Sequence, residues 1–325
     1  MAEEKNEMKY FITGGAGFVG SNMADRLLKD GHEVTVYDNF STGLEPFLAF
    51  AKQNERFRLV RGDILDLPAL KEAMAGSDFV FHFAANADIR DNLAHPEFVF
   101  EQNARGTFCV LEAMRATGVH AIAFSSTGSV YGEPEVFPTP ENAPFPIQTS
   151  LYAASKTYGE GMISAYCEGY GFTAYIFRFV SLLGERYPHG HVFDFVRKLK
   201  ANPETLEILG DGHQRKSYLY ISDCINAILT AIRATDHGVN IYNLGTDEYC
   251  EVKDSAGWIA ERMGLKPAFS FTGGKRGWVG DSPFIYLDTG KIRSLGWRPE
   301  LTIRQAVERT VDYLLDNPWL LEARK

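Results

Sequence analysis

Tyr152 and Lys156 stand four residues apart in a stretch of helical composition, so a helix there would set them on one face. A free phenol titrates near ~10 and is only about 0.1% ionised at neutral pH. Moving it to about 7 takes roughly 4 kcal/mol of preferential stabilisation of the phenolate. A neighbouring ammonium and a second positive charge could supply that together. Some 25 residues upstream, Phe124-Ser125-Ser126-Thr127 reads as a strand ending in hydroxyls. Carboxyl ends of parallel strands are where ligands bind in such sheets. Ser125 and Ser126 are equally well read as a polar strand terminus.

The second charge is suggested by Gly14, Gly17 and Gly20, spaced G-x-x-G-x-x-G after the apolar run Tyr10–Ile12. Gly14 would let the chain leave a strand with positive φ. Gly17 would admit a pyrophosphate to the backbone, and Gly20 a close helix. The amides of the helix start would hold the phosphates. Three glycines alone are equally a structural turn. Asp38, 18 residues beyond Gly20, narrows the choice. A carboxylate there accepts the ribose hydroxyls of adenosine and repels a 2′-phosphate. No Arg or Lys lies between Asp38 and Leu44. The pattern implies NAD(H), whose oxidised nicotinamide is the second positive charge, the alternative being an Asp that opens a turn with Asn39; Asp63-Ile64 could frame the adenine or be a plain turn.

These residues need a scaffold. Strands are expected at Lys9–Ile12, Glu33–Tyr37, Phe57–Val60, Phe79–Phe83, Ala121–Phe124 and Ala174–Phe177. Helices are expected at Val19–Lys29, Ala69–Ala75 and Pro96–Ala116, the last stopped by Gly118. Thr149 or Ser150 is expected to cap the helix of Tyr152. Strand–helix alternation of this kind predicts an α/β fold with a doubly wound parallel sheet. Beyond residue 180 the segments become irregular, as in Arg186-Tyr187-Pro188-His189-Gly190-His191. A strand at Tyr218–Ile221 should lead into a helix capped by Ser222, and another strand is expected at Asn240–Asn243. Helices are expected at Val252–Met263 and Thr302–Leu315, with a short one after Asp288. The expected division is 1–180, with segments near 216–245 returning to it, and a smaller interleaved lobe over 181–325.

The 325 residues carry 33 Lys and Arg against 42 Asp and Glu, a net charge of −9. That argues against nucleic acid or an anionic membrane as the main partner. The 45% hydrophobic content supports a sizeable core. Cys109, Cys167, Cys224 and Cys250 form no C-x-x-C pair or zinc spacing. With no apolar signal-length run after the charged leader Met1–Glu7, a cytoplasmic location is expected. His189 and His191 lack a third metal ligand, so no metal is expected.

The chain resembles the extended short-chain dehydrogenase/reductase family, especially its nucleotide-sugar epimerase branch of the UDP-galactose 4-epimerase type. Thr13–Gly20 matches its T-G-G-x-G-x-x-G loop, and Asp38-Asn39 its ribose-binding pair. His82-Phe83-Ala84-Ala85 resembles its H-x-A-A segment, and Asn103-Ala104-Arg105-Gly106-Thr107 its N-x-x-G-T stretch. Tyr152–Lys156 matches Y-x-x-x-K, which puts Thr127 in the position of the family's catalytic Ser or Thr. The resemblance implies a Rossmann sheet with a substrate lobe, and Thr127, Tyr152 and Lys156 as catalytic. It implies NAD contacts from Gly14, Gly17, Phe18, Val19, Gly20, Asp38, Asn39, Ser41, Thr42, Asp63, Ile64, Phe83, Ala84, Ala85, Asn103, Ser125, Tyr152 and Lys156.

Gly210-Asp211-Gly212-His213-Gln214-Arg215 resembles the family's strand where an Arg grips a diphosphate. Arg276, followed by Gly280-Asp281, resembles a second such contact, and Gly296-Trp297-Arg298-Pro299 the closing G-W-x-P. Asp223 matches a structural Asp. Ser181 stands in the family's usual Asn position, and His191 in a loop that departs from the pattern. With Thr127, Ser181, His191, Arg215 and Arg276 are the implied substrate contacts. The family's dehydratases and decarboxylases carry carboxylates at or just after the catalytic Thr, whereas here Gly128 and Ser129 follow. The resemblance therefore implies a 4-epimerase of a nucleotide sugar, a UDP-hexose, working through a 4-keto intermediate. A 4-dehydrogenase or ketoreductase, an epimerase at another carbon, and a non-catalytic NAD-binding protein remain alternatives. It also implies a homodimer through Pro96–Ala116 and Leu151–Glu168.

Overall fold

In a computed structural model the described residues are 7–87, 94–144, 147–235, 238–277, 282 and 284–323. Gly280, Asp281 and most of the charged leader lie outside them. The chain divides into two compact units that alternate along the sequence. Met1–Ser126, Leu151–Phe177 and Thr235–Ile241 form the first; Thr127–Ser150, Arg178–Ala234 and Tyr242–Lys325 form the second.

The main sheet has seven strands: β1 (Lys9–Thr13), β2 (Glu33–Asp38), β3 (Phe57–Arg61), β4 (Phe79–His82), β5 (Ala121–Thr127), β6 (Thr173–Phe179) and β7 (Val239–Leu244). Their order is β7-β6-β5-β4-β1-β2-β3. β1 runs parallel to β2 and β4, as do β2 to β3 and β4 to β5. The winding reverses between β1 and β4, which opens a crevice at their carboxyl ends. All four residues of β4 are buried, as expected of a strand covered on both faces. The flanking helices are α1 (Phe18–Lys29), α2 (Leu67–Met74), α3 (Gly106–Thr117) and α4 (Leu151–Tyr170). Phe11, Leu70, Val110, Met114, Phe124 and Ile163 meet in the core between sheet and helices. Each such side chain contributes about 1.5–3 kcal/mol by leaving water.

One first-unit expectation is corrected. Pro96–Ala116 is not one α-helix: a turn at Pro96–Val99 passes into a π-helix at Phe100–Arg105 before α3 begins. The hydrophobic pattern conceals the extra residue of a π-turn, because apolar spacing barely changes over one turn. Of the two expected caps of α4, Thr149 has its Oγ1 buried with no hydrogen-bond partner among the described residues, which leaves Ser150. Gly118 does end α3, with φ 76° in the left-handed region.

The second unit carries α5 (His191–Ala201), α6 (Ile221–Ala234), α7 (Val252–Arg262) and α8 (Ile303–Asp316) with smaller sheets. Ser181–Leu183 pairs with Tyr218–Tyr220, and Arg215–Lys216 lies between Cys250–Glu251 and Phe284–Ile285. The Pro/Gly run before His191 obscured α5, whose Val192, Phe195, Val196 and Leu199 form a buried helical stripe. α6 begins at Ile221, so Ser222 lies inside the first turn and does not precede the helix. Thr302 caps α8 in a reciprocal box with Gln305.

Candidate active site

β1 delivers the chain to Gly14, whose φ of 69° glycine alone adopts without strain. A Cβ there would stand 2.6 Å from Ala84 N, and one on Gly20 2.3 Å from Gly14 O. At Gly17, Gly14 O at 3.2 Å is the sole neighbour such an atom would meet within 4 Å among the described residues. The outer face of the loop is therefore open. Gly17 caps α1 without a side-chain hydrogen bond, which suits a helix start that serves an anion. Phe18 and Val19 open this helix. A pyrophosphate fits this cradle, and no side chain fills it.

Asp38 is buried at the end of β2. Its Oδ2 accepts from Ala16 N at 2.9 Å and its Oδ1 from Phe40 N at 2.7 Å. Burial raises its pKa, while these two N–H groups oppose the rise. A carboxylate accepts about four hydrogen bonds, which leaves capacity for two ribose hydroxyls. Asn39 Nδ2 donates to Asp63 Oδ2 at 2.9 Å, and Asp63 Oδ1 accepts from Leu65 N at 2.9 Å. Asn39 and Asp63 thus brace each other, with Ser41 and Thr42 exposed beside them. The Ile64 side chain belongs to the core, packed under α3 where a Cβ on Gly106 would touch it.

His82 lies at the end of β4 and went unassigned in the sequence. It is fully buried, with Nδ1 2.8 Å from Thr13 Oγ1 and Nε2 3.0 Å from Thr107 Oγ1. Thr107 donates to Asn103 O at 2.6 Å, so it accepts from His82 Nε2–H. Nδ1 is then the acceptor of Thr13, and Thr13 Oγ1 takes Ala84 N–H at 3.3 Å. One neutral imidazole ties β1, β4 and the first turn of α3 together. Asn103 Oδ1 accepts from Asn86 N at 2.7 Å, and its Nδ2 donates to Asn86 O and Ser155 Oγ, each at 3.0 Å. The segment after Phe83, Ala84 and Ala85 is thereby clamped to α4. The signal for His82 was the presence of a threonine partner in each of the two other quoted motifs, Thr13 and Thr107.

Tyr152 and Lys156 do share a face of α4. Lys156 is 2% exposed, its Nζ 4.6 Å from the Phe124 ring centre and 5.8 Å from that of Tyr152. Gly159 permits this approach, since a Cβ there would meet the Phe124 ring at 2.8 Å. Burial pushes the Lys156 ammonium down to about 7, with Glu160 opposing the fall. Burial pushes the Tyr152 phenol up to about 12. Lys156 alone therefore does not ionise Tyr152, because desolvation penalises both charged forms; the second positive charge is needed. Ser125 Oγ turns to His82 O at 3.4 Å.

In the second unit, Thr127 Oγ1 accepts from Ser129 N at 3.1 Å and caps the 3-10 turn Gly128–Tyr131. What holds the far end of this turn was not legible beforehand. Arg178, 2% exposed, donates to Tyr131 OH at 2.7 Å and to Glu141 O at 2.9 Å. Tyr131 OH in turn donates to Asn243 Oδ1 at 2.8 Å. Ser181 is exposed on its short strand. His191 is stacked on Tyr218 with ring centres 4.7 Å apart, and its Nε2 lies 2.7 Å from Ser255 Oγ. Arg215 lies exposed over the Phe284 ring at 3.9 Å. Arg276 is ion-paired with Glu133. Asp223 is structural as expected, its Oδ2 accepting from Glu300 N at 3.1 Å. No cluster of three His, Cys, Asp or Glu able to hold a metal occurs among the described residues.

Known proteins share this architecture. Residues 10–245 match the family described as NAD dependent epimerase/dehydratase. The UDP-glucose 4-epimerase of Mycolicibacterium smegmatis is 32% identical over 314 residues, covering 94% of this chain and 98% of that protein. A crystal structure of a UDP-galactose 4-epimerase, 37% identical, superposes with a TM-score of 0.85 over 96% of this chain and 100% of that one. The Thermus thermophilus UDP-glucose 4-epimerase in complex with NAD is 32% identical, with a TM-score of 0.84 over 95% of this chain and 99% of that one. The open glycine cradle, the braced Asp38 and the paired Tyr152 and Lys156 agree with that match, and the chain belongs to the NAD-dependent epimerase/dehydratase family.

Proposed function

We propose that the protein is an NAD-dependent nucleotide-sugar 4-epimerase acting on a UDP-hexose. The observation that carries this reading is that Thr127 is followed by Gly128 and Ser129, so no carboxylate adjoins it for dehydration or decarboxylation. A hydroxyl and a phenol suffice for reversible oxidation of an alcohol.

Gly14, Gly17 and the start of α1 hold the pyrophosphate of NAD, and Asp38 its adenosine ribose. Asn39, Ser41, Thr42, Asp63, the Ile64 backbone, Phe83–Ala85, Asn103 and Ser125 complete the contacts. Bound NAD supplies a hydride acceptor for C4 and a positive charge beside Tyr152. Tyr152 takes the proton of the sugar 4-hydroxyl, Lys156 stabilises the phenolate, and Thr127 hydrogen-bonds the same oxygen. Ser181, His191, Arg215 and Arg276 serve the substrate, Arg276 exchanging Glu133 for a phosphate oxygen. A 4-keto sugar held by its diphosphate would be free to turn its other face to the site, and Tyr152 would return the proton to its oxygen.

A second copy of the chain is the inferred partner. Phe98, Phe100 and Phe108, with Leu151 and Tyr158 on α4, are exposed apolar side chains of the first unit. Among the described residues no helix is long and apolar enough to cross a membrane. Four buried cysteine thiols suit a reducing cytoplasm.

Purified protein given UDP-, GDP-, CDP- and dTDP-hexoses without added cofactor should form a C4 epimer with no net NADH. Stoichiometric NADH would instead identify a dehydrogenase. Tyr152→Phe should lower kcat by about 10²–10⁴-fold while NAD stays bound; undiminished turnover would exclude the mechanism.

A further inference from the structure

Glu160 has no role in the reaction just described, yet it is 4% exposed and close in sequence to Lys156. Tyr152, Lys156 and Glu160 follow at four-residue steps on α4, so phenol, ammonium and carboxylate line one helix face in that order. Ser126, 2% exposed on β5, donates its hydroxyl to Glu160 Oε1. Gly159 brings this part of the helix onto Phe124 of the same strand. A carboxylate this deeply buried persists as an anion where it has a hydrogen-bond donor and an opposite charge. Ser126 is the donor, and the Lys156 cation stands one helical turn away on the same face.

Among the described residues, the other charged groups around α4 do not offer Lys156 the same service. His82 on β4 is neutral, and Tyr152 carries no charge in the ligand-free chain. On the helices packed against α4, Glu101 pairs with Arg105, Glu112 with Arg115, and Glu97 lies near His95 at the surface. Burial draws Lys156 toward deprotonation, and Glu160 is the group that resists it.

We propose that Glu160 is a positioning residue, the buried counter-charge that holds Lys156 as an ammonium beside Tyr152. The inference deepens the epimerase reading and rests on it for its kinetic consequence. Removing the negative charge makes Lys156 lose its proton at lower pH. Tyr152 then loses its cation earlier as pH rises, and the alkaline limb of the kcat profile moves down the pH scale.

The direct test is a titration of 13C-lysine-labelled protein by NMR, with the Lys156 Cε resonance assigned from Lys156→Met. In Glu160→Gln, which keeps the shape and an acceptor for Ser126, the Lys156 midpoint should fall by at least one pH unit. The alkaline limb of kcat should follow it, with KM unchanged. Glu160→Asp, which keeps the charge, should stay within about half a unit of the parent protein. An unmoved Lys156 midpoint in folded Glu160→Gln overturns the proposal. Glu160→Ala combined with Ser126→Ala, which removes the charge together with its donor, should lower the Lys156 midpoint likewise. That measurement decides the matter if Glu160→Gln does not fold, and an unmoved Lys156 midpoint there overturns the proposal equally. Neither titration needs a sugar. A moved midpoint without epimerisation by the parent protein would leave the counter-charge standing and remove the epimerase reading.

Discussion

His82 and His191 are both held neutral by their surroundings. Burial pushes each imidazole down to about 3, and Lys156 and Lys216 add to the effect respectively. An unfolded histidine titrates near ~6.5. The folded value lies below the unfolded one, so protonation favours the unfolded chain. No stability is lost above pH ~6.5; as pH falls from there toward 3, each site costs about 1.4 kcal/mol per pH unit. Urea denaturation should therefore show stability dropping between pH 7 and 5, and His82→Gln should make that slope shallower by one site's share. An identical slope in the variant would mean that His82 takes up its proton while folded. Glu112 acts in the opposite sense. Arg115 and Tyr166 lower its pKa to about 2, so its contribution is present above pH ~4.3 and is lost as pH falls toward 2.

At the scale of elements, the turn from β1 into α1 is constrained by backbone as much as by side chains. A Cβ on Gly20 would strike Gly14 O at 2.3 Å, whereas one on Gly118, at the end of α3, meets nothing within 4 Å. Gly20→Ala should therefore cost several kcal/mol, or displace α1 and abolish NAD retention. Gly118→Ala pays only for its positive φ, about 1 kcal/mol. Thermal unfolding together with NAD content after purification separates the two cases. Retained NAD in a stable Gly20→Ala protein would show that the loop yields. The π-helix at Phe100–Arg105 belongs to this scale as well. It carries Asn103, whose amide binds Asn86 and Ser155 at once.

At the scale of the whole molecule, Phe100 is 61% exposed and Tyr158 42% exposed. Phe100→Glu combined with Tyr158→Glu should convert a dimer to a monomer in light scattering, with the far-UV spectrum unchanged; a dimer that persists would place the interface elsewhere. Much of the architecture was legible beforehand. Strand–helix alternation, the glycine spacing, Asp38 and the Tyr152–Lys156 step are local patterns, and local patterns survive in a linear reading. All eight expected strands formed, β5 running on to Thr127 and β6 to Phe179. The sequence by itself thus determined the parallel sheet, the glycine turn from β1 into α1 and the placing of Tyr152 and Lys156 on one helix face. Tertiary structure alone decided the electrostatics. Burial on β5 lowers Lys156 and raises Tyr152, Thr13 and Thr107 hold His82 neutral, and Ser126 meets Glu160. Desolvation and hydrogen bonding depend on residues dozens of positions away, and sequence spacing carries no record of which of them will meet.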